Sequence, residues 1–345
     1  MLTPNEQQNL DLVEIKDLRV YFHLSEGIVR AVDGVDFKLK RGRTLGVVGE
    51  SGCGKSVTAR ALLRIESPGK IKSGQITFHT TVQNGQSEAI EMTSLDLYGP
   101  KIRDIRGKEI GMIFQEPMTS FGPMHTIGNQ ISEAILLHKT KDKKEARALA
   151  IQALESVGMP RPQSVIDQFP HQLSGGMRQR AMIAMALSCG PSLLIADEPT
   201  TALDVTTEAQ IIDLLKERQE SLGLAMMYIT HNLGVIAQMA QDVIVMYLGK
   251  IVEKASVEEL FYEARHPYTE ALLKSIPRVD QDPTGPLASI EGMIPDPYTY
   301  LTGCPFHPRC SKAIRGLCEI EEPATVQVSP GHFVNCHLYH QDAKS

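Results

Sequence analysis

The chain has 345 residues, 42% of them hydrophobic, enough to bury one large core or two smaller ones. A formal net charge of -6 and a pI near 6.0 exclude a protein that coats nucleic acid, which would carry a strong basic excess. The longest unbroken apolar run, 181–187, falls far short of the ~20 residues that cross a bilayer, and residues 1–10 lack the basic-then-apolar pattern of a secretory leader, so a cytoplasmic protein is expected.

Near the start, Leu18, Val20 and Phe22 alternate with Arg19 and Tyr21, and Val35, Phe37 and Leu39 alternate with Asp36, Lys38 and Lys40. Period two predicts strands with one wet face, hence an antiparallel sheet. The apolar run 45–48 then leads into Gly49-Glu50-Ser51-Gly52-Cys53-Gly54-Lys55-Ser56, followed by an amphipathic helical run, 57–63. This matches G-x-x-x-x-G-K-[ST] in its strand, loop and helix context, the phosphate-binding loop. Its glycines permit conformations that gather N–H groups onto phosphate oxygens, Lys55 adds a positive charge for the β- and γ-phosphates, and Ser56 offers a hydroxyl to Mg²⁺.

Further on, Ala146, Leu149, Ala150, Ala153, Leu154 and Val157 recur at spacings of three and four and predict one face of a helix, whose charged start, 141–147, reads as solvated. The runs 193–196 and 225–229 are apolar throughout, as strands buried on both faces of a parallel sheet must be. Runs 243–248 and 251–252 flank Gly249-Lys250 and predict a hairpin. Past Arg265 half of the 20 prolines lie between Pro267 and Pro330 and the periodicity fades, which places a boundary between a main domain, 1–265, and an extension, 266–345.

Asp197-Glu198 closes the buried run 193–196. In a chain that holds a phosphate loop, Asp197 is placed to hold Mg²⁺ and Glu198 to polarise water for attack on the γ-phosphate. The bland alternative is a pair of carboxylates capping the next helix. Leu173-Ser174-Gly175-Gly176-Met177 reads as a helix start with exposed N–H groups, an ordinary cap by itself. Gln115 follows the apolar 112–114 and His231 follows the strand ending at Thr230, so both fall at the mouth of a sheet, where ligands gather.

The order of the loop 49–56, Gln115, 173–177, 193–198, Ala202-Leu203-Asp204 and His231 resembles the ATP-binding-cassette ATPase of ABC transporters, over about residues 12–265. The resemblance implies an α/β fold: a RecA-like P-loop core, an antiparallel β subdomain and a helical subdomain around 118–188. It implies nucleotide contacts at Gly49, Ser51, Gly52, Cys53, Gly54, Lys55, Ser56 and Val57, with Phe22 stacking on adenine and Tyr21 as the neighbouring alternative. Ser56, Gln115 and Asp197 would attend Mg²⁺, Glu198 would be the base, and His231 would touch the γ-phosphate. Ser174, Gly175 and Gly176 would serve the nucleotide of a second ATPase subunit in a head-to-tail dimer, and Asp204 would link the two sites. Met177 stands where the superfamily commonly has glutamine, and Ser120-Phe121-Gly122-Pro123 departs from the Leu-Asn-Pro usual in the branch described next.

The tail segments His266-Pro267-Tyr268-Thr269, Leu272-Leu273 and Gly303-Cys304-Pro305-Phe306-His307-Pro308-Arg309-Cys310 are similar to the carboxy-terminal extension of dipeptide and oligopeptide importer ATPases. Cys304, Cys310, Cys318 and Cys336 have five, seven and seventeen residues between them. Four thiolates suit zinc or an iron-sulfur cluster, with His307, His332 and His337 as substitutes; the absence of a C-x₂-C knuckle lowers the zinc reading, and the resemblance implies a [4Fe–4S] cluster. Cys53 reads as a small filler.

The sequence therefore predicts the ATPase of an ABC importer for peptides or a related solute, peripheral on the cytoplasmic face of the membrane. The implied partners are two permease subunits, an external solute-binding protein and a second, unlike ATPase subunit, with no nucleic acid. The alternatives are an importer of nickel chelates or oligosaccharides, an iron-sulfur electron carrier with a regulatory nucleotide domain, and a soluble ABC ATPase of repair or translation. The last predicts a long coiled-coil insertion or a second cassette, and the sequence contains neither.

Overall fold

The computed structural model describes residues 10–81, 87–116, 120–201, 203–276 and 290–340. Two long strands come first, β1 (Asp11–Leu24) and β2 (Gly27–Lys40), joined by a two-residue turn that obliges neighbouring strands to run antiparallel. The alternation has its expected consequence: Leu18, Val20, Val35, Phe37 and Leu39 are buried, while Asp36 and Lys38 are exposed. Next come β3 (Thr44–Val48), α1 (Lys55–Leu62), β4 (Lys70–Thr81), β5 (Ser87–Glu91), α2 (Pro100–Ile105) and β6 (Ile110–Ile113). Then come helices α3 (Ile127–His138), α4 (Lys143–Ser156), α5 (Pro162–Val165) and α6 (Gly175–Leu187). The chain then alternates through β7 (Leu193–Asp197), α7 (Val205–Leu222), β8 (Ala225–Ile229), α8 (Leu233–Met239) and β9 (Asp242–Tyr247). It ends with β10 (Lys250–Ser256), α9 (Val257–Tyr262), α10 (Pro267–Lys274), β11 (Val326–Ser329) and β12 (His332–Val334).

These elements form two compact units, and the first comprises Met1–Val13, Leu39–Thr44 and Phe78–Ile229. Here β6, β7 and β8 pair in parallel, with Ile113 opposite Ala196 and Asp197 opposite Ile229. Every residue of the three strands is buried, which is why the sequence shows no alternation there. Helices α3, α4 and α6 pack on one another. Asp142 caps α4 by accepting from the Lys144 N–H, and Ala146, Ala150 and Leu154 make its buried face. The charged start is solvated as expected, except that Arg147 forms a two-pronged pair with Asp167 at 2.8 and 2.7 Å. Residue 118, where the helical segment was expected to begin, lies outside the described residues. The variant stretch 120–123 is held inward: Phe121 is buried, and the Gln130 amide both accepts from the Gly122 N–H and donates to its carbonyl.

The second unit comprises Glu14–Lys38, Leu45–Thr77 and Thr230–Ser345. Strand β3 pairs in parallel with β9; β9 pairs antiparallel with β10, β10 with β12, and β12 with β11. The predicted hairpin is the β9–β10 turn, where Leu248 and Gly249 both take positive φ, 43° and 79°, as a two-residue turn matched to strand twist requires. The tail thus extends the sheet that carries the phosphate loop.

Glu253 of β10 is the knot that ties the tail down. It is 1% exposed and accepts from the Arg265 and His266 N–H groups at 2.7 and 3.0 Å and from His332 Nε2 at 2.7 Å. Burial pushes its pKa up, but these hydrogen bonds outweigh it and leave the carboxyl below its usual range. His266, also 1% exposed, is pushed down to about 4 by burial, and its Nδ1 accepts from the Tyr268 N–H at the start of α10. The unfolded chain takes up that proton near pH 6.5, so stability is lost as pH falls from about 6.5 towards 4, by on the order of 3 kcal/mol. Loss of the Glu253 contribution follows below about pH 4.5. His266→Asn keeps an acceptor for α10 without an imidazole, so denaturant unfolding between pH 7 and 4 should show a flatter pH dependence in the variant than in the native chain.

Candidate functional site

The second unit holds the phosphate loop, whose shape comes from close backbone packing. A Cβ on Gly49 would stand 2.2 Å from the Met246 carbonyl oxygen, and one on Gly54 2.0 Å from that of Ala31. Gly49, Gly52 and Gly54 all take positive φ. The Gly249 N–H donates to the Cys53 carbonyl at 3.0 Å, which fastens the loop to the β9–β10 turn. Helix α1 has no side-chain cap at Gly54 and no acid in its first turn, so the N–H groups around Lys55, Ser56 and Val57 meet an approaching phosphate without competition from a carboxylate. Lys55 is 5% exposed, and its Nζ donates to the carbonyls of Gly49 and Glu50 at 2.8 and 3.0 Å. Cys53 is the expected filler: it is buried under Gly49, and burial raises its thiol pKa. Ser51 and Gly52 are exposed. The Thr230 N–H donates to Val47 O at 3.2 Å, so the backbone leading into His231 runs beside the carboxyl end of β3.

The first unit holds Gln115, Asp197 and Glu198 at the carboxyl ends of adjacent parallel strands β6 and β7, where sheets present ligand sites. Asp197 is fully buried. Glu198 takes a left-handed conformation, φ 46°, which is costly for a residue with a Cβ. Its N–H is fixed by the Ile229 carbonyl at 2.9 Å, and its carboxylate accepts from Gln115 Nε2 at 3.1 Å and Thr201 Oγ1 at 3.0 Å. Ser174 caps α6, its hydroxyl accepting from the Met177 N–H at 3.3 Å, and Ser174 and Gly175 are exposed. Asp204 caps α7, accepting from the Thr207 N–H and hydroxyl at 3.0 and 2.7 Å, and the hydroxyl bond lowers its pKa. Thr207 escaped the sequence reading: its methyl group would be 2.9 Å from a Cβ on Gly176, so it joins the two segments. Ala202 lies outside the described residues.

The expected base-stacking side chains both have close neighbours. The Phe22 ring is seated against Gly69, where an added Cβ would be 2.7 Å from its Cζ. Tyr21 donates to Asp33 at 2.6 Å, and burial together with that carboxylate pushes its pKa up to about 12. A small cavity of about 80 Å³ beside Gly52 is lined by Arg30, Ala31, Lys250, Tyr298 and Tyr300, with Arg30 stacked 3.8 Å above the Tyr300 ring. Tyr298 and Tyr300 come from a proline-rich stretch without periodicity, so nothing in the sequence pointed to them.

Cys304, Cys318 and Cys336 are buried and Cys310 half-buried. Burial pushes Cys304 up to about 12 and Cys336 up to about 11, and neighbouring tail cysteines raise both further, so the thiols share one neighbourhood. The donor set is all sulfur, as an iron-sulfur cluster needs. Among the described residues, however, no three His, Cys, Asp or Glu side chains converge on a point that one metal ion could occupy, so the expected metal-bound module is not present as a preformed site. The histidines proposed as substitutes have other partners: His307 hydrogen-bonds to the Cys304 carbonyl, His332 to Glu253 and His337 to the Glu321 carbonyl.

A strand, glycine loop and helix, carboxylates ending a buried parallel strand, and a serine-capped glycine start to a helix are together the parts of an ATP-binding-cassette ATPase. The structure superposes with TM-score 0.60 and 26% identity on a dimeric, post-hydrolysis ATP-binding cassette, MJ0796, bound to ADP and Pi, covering 71% of this chain and 98% of that one. The ABC transporter family matches residues 32–201, and the oligopeptide/dipeptide transporter C-terminal region matches residues 252–318. The probable peptide ABC transporter ATP-binding protein y4tR of Sinorhizobium fredii is 46% identical over 94% of both chains. The oligopeptide transport ATP-binding protein AppD of Bacillus subtilis is 45% identical over 96% of this chain and 98% of its own. The chain belongs to the family of ATP-binding proteins of oligopeptide and dipeptide ABC transporters.

The loop geometry separates two glycines. Gly52 has positive φ but nothing within 4 Å of an added Cβ, so Gly52→Ala should cost only the conformational strain, about 1–2 kcal/mol. Gly54→Ala adds a collision with a backbone carbonyl and should lose ATP binding altogether. Thermal unfolding and nucleotide titration of the two variants would show the difference.

Proposed function

We propose that this chain is the ATP-hydrolysing subunit of an ABC importer that takes up peptides. The observation that carries the reading is the joining in one chain of a cassette to the oligopeptide/dipeptide C-terminal region, within relatives matched over nearly their whole length and named for peptide transport. Two permease subunits and an external solute-binding protein complete the importer. Among the described residues no helix is long and apolar enough to cross a membrane, so attachment to the cytoplasmic face would come through the permeases.

The phosphate loop and Lys55 take the nucleotide's phosphates, with Ser56 and Val57 at the start of α1. Ser56 and Asp197, with Gln115 alongside, would hold Mg²⁺, which would offset the negative charge of the phosphates. Glu198 accepts a proton from water as the water oxygen bonds to the γ-phosphorus and the bond to the bridging oxygen breaks, releasing ADP and phosphate. The hydrogen bonds from Gln115 and Thr201 support this role, since they orient the carboxylate. His231 contacts the γ-phosphate, and Phe22 stacks on adenine. Ser174, Gly175 and Gly176 complete the nucleotide site of a second, unlike ATPase subunit, and Asp204 links the sites; the exposure of Ser174 and Gly175 supports that role. ATP favours the closed pair and hydrolysis releases it, which shifts the permeases between two conformations.

Glu198→Gln should bind ATP, lower turnover by about 100-fold or more, and abolish ATP-driven uptake of labelled peptide into vesicles bearing the assembled complex. Native complexes that pump nickel chelates or oligosaccharides but no peptide would overturn the cargo assignment.

The tail is proposed to hold a [4Fe–4S] cluster on Cys304, Cys310, Cys318 and Cys336. Four cysteine thiolates are the donor set that such a cluster takes. Four metal–sulfur bonds would also reinforce a small module with little apolar core. Anaerobically purified protein should contain about four irons per chain and Cys304→Ser should lose them, whereas iron retained in that variant would refute the ligand set.

A further inference from the structure

Only 3% of the Arg309 side chain is exposed, a burial that an ionised guanidinium sustains only with strong partners. Its partners belong to the phosphate loop. Nη1 and Nη2 donate to the two carboxylate oxygens of Glu50 at 2.7 and 3.1 Å, a bidentate fork, and Nη1 also donates to the Tyr247 hydroxyl at 3.3 Å. From behind, Nε donates to the Glu291 carbonyl at 3.1 Å, which sets the direction of the fork. The Glu50 main chain is tied as well: its N–H donates to the Tyr268 hydroxyl at 2.9 Å and its carbonyl accepts from Lys55 Nζ at 3.0 Å. Phe306, three residues before Arg309, packs edge-on against Tyr247 and tilted against Tyr268, both at 5.3 Å between ring centres. The tail and the base of the loop therefore share one aromatic floor.

We propose that Arg309 is a positioning residue of the nucleotide site, which holds Glu50 and with it the phosphate loop in the shape that receives ATP, so that the order of the cysteine-bearing module sets ATP affinity. The proposal rests on the reading of the loop as the ATP site. Two physical effects support it. First, Ser51, Gly52, Cys53 and Gly54 offer no long side chain to anchor the loop from outside, whereas Glu50 reaches the tail. Second, a carboxylate one residue from the start of a loop that takes a triphosphate repels its ligand unless a cation neutralises it. Arg309 does this and turns the charge towards the tail.

The effect is one on binding, not on the chemical step. In the assembled transporter Arg309→Gln should raise the KM for ATP about tenfold and leave kcat within about twofold, because an unpaired Glu50 both loosens the loop and repels phosphate. Arg309→Lys keeps the charge without the fork and should fall between. Adding Glu50→Gln to Arg309→Gln should restore most of the affinity, which loss of packing alone would not allow. In the full chain, displacement of a fluorescent ATP analogue should show the same order of dissociation constants. Cys310→Ser should weaken ATP binding in the native background and add nothing to Arg309→Gln. Should Cys310→Ser not fold, the Arg309 series decides by itself. An unchanged dissociation constant in Arg309→Gln, or a fall in kcat at constant KM, would overturn the proposal. Lys55→Ala serves as the separate check: if it still binds ATP normally, the reading of the loop fails, whereas a dead Lys55 variant beside a silent Arg309 variant sinks only the positioning role.

Discussion

The phosphate loop cannot hold its own shape, and the surrounding backbone supplies what its residues lack. Gly49 lies against the end of β9, Gly54 against β2, and the Cys53 carbonyl is held by the Gly249 N–H of the hairpin that follows β9. Two of the three glycines are thus required by proximity to another carbonyl as well as by positive φ, and only Gly52 is there for φ alone. The same packing explains the hairpin: without left-handed Leu248 and Gly249, β10 would not turn back and the donor to Cys53 would be elsewhere.

In the other unit the corresponding constraint is the strained backbone of Glu198. A residue with a Cβ at φ 46° persists only where its surroundings over-determine it, and here the Ile229 carbonyl fixes its N–H while Gln115 and Thr201 fix its carboxylate. Strain kept at the end of a buried parallel strand aims a second carboxylate, beside the buried Asp197, out of a strand whose other side chains are apolar. Thr207 does comparable work between Asp204 and Gly176, with its hydroxyl on one and its methyl on the other.

Composition presents the tail as a proline-rich appendage, yet its contacts are those of a structural part. Strand β12 pairs with β10, Glu253 collects the Arg265 and His266 N–H groups together with His332, and Arg309 reaches Glu50. Residues far apart in sequence therefore share buried charge, so damage to the tail is transmitted to the base of the loop. A purely apolar contact would transmit less, because an unpaired buried ion costs far more than a lost van der Waals contact.

Local chemistry was legible without a structure. The loop, the alternating β1 and β2, the apolar runs 193–196 and 225–229 of β7 and β8, the buried face of α4 and the Gly249 hairpin follow from the period of burial and from glycine's access to positive φ, both properties of short segments. The order of short motifs carried the family, since each fixes a backbone feature that the chemistry of phosphate needs. Only the tertiary structure decided that Phe22 rests on Gly69 while Tyr298 and Tyr300 border the cavity beside Gly52, that His332 serves Glu253, that the four thiols do not converge on one ion, and that Arg309 grips Glu50. Those outcomes depend on pairings between residues tens to hundreds of positions apart, and one sequence records which side chains are available but not which of them long-range packing brings together.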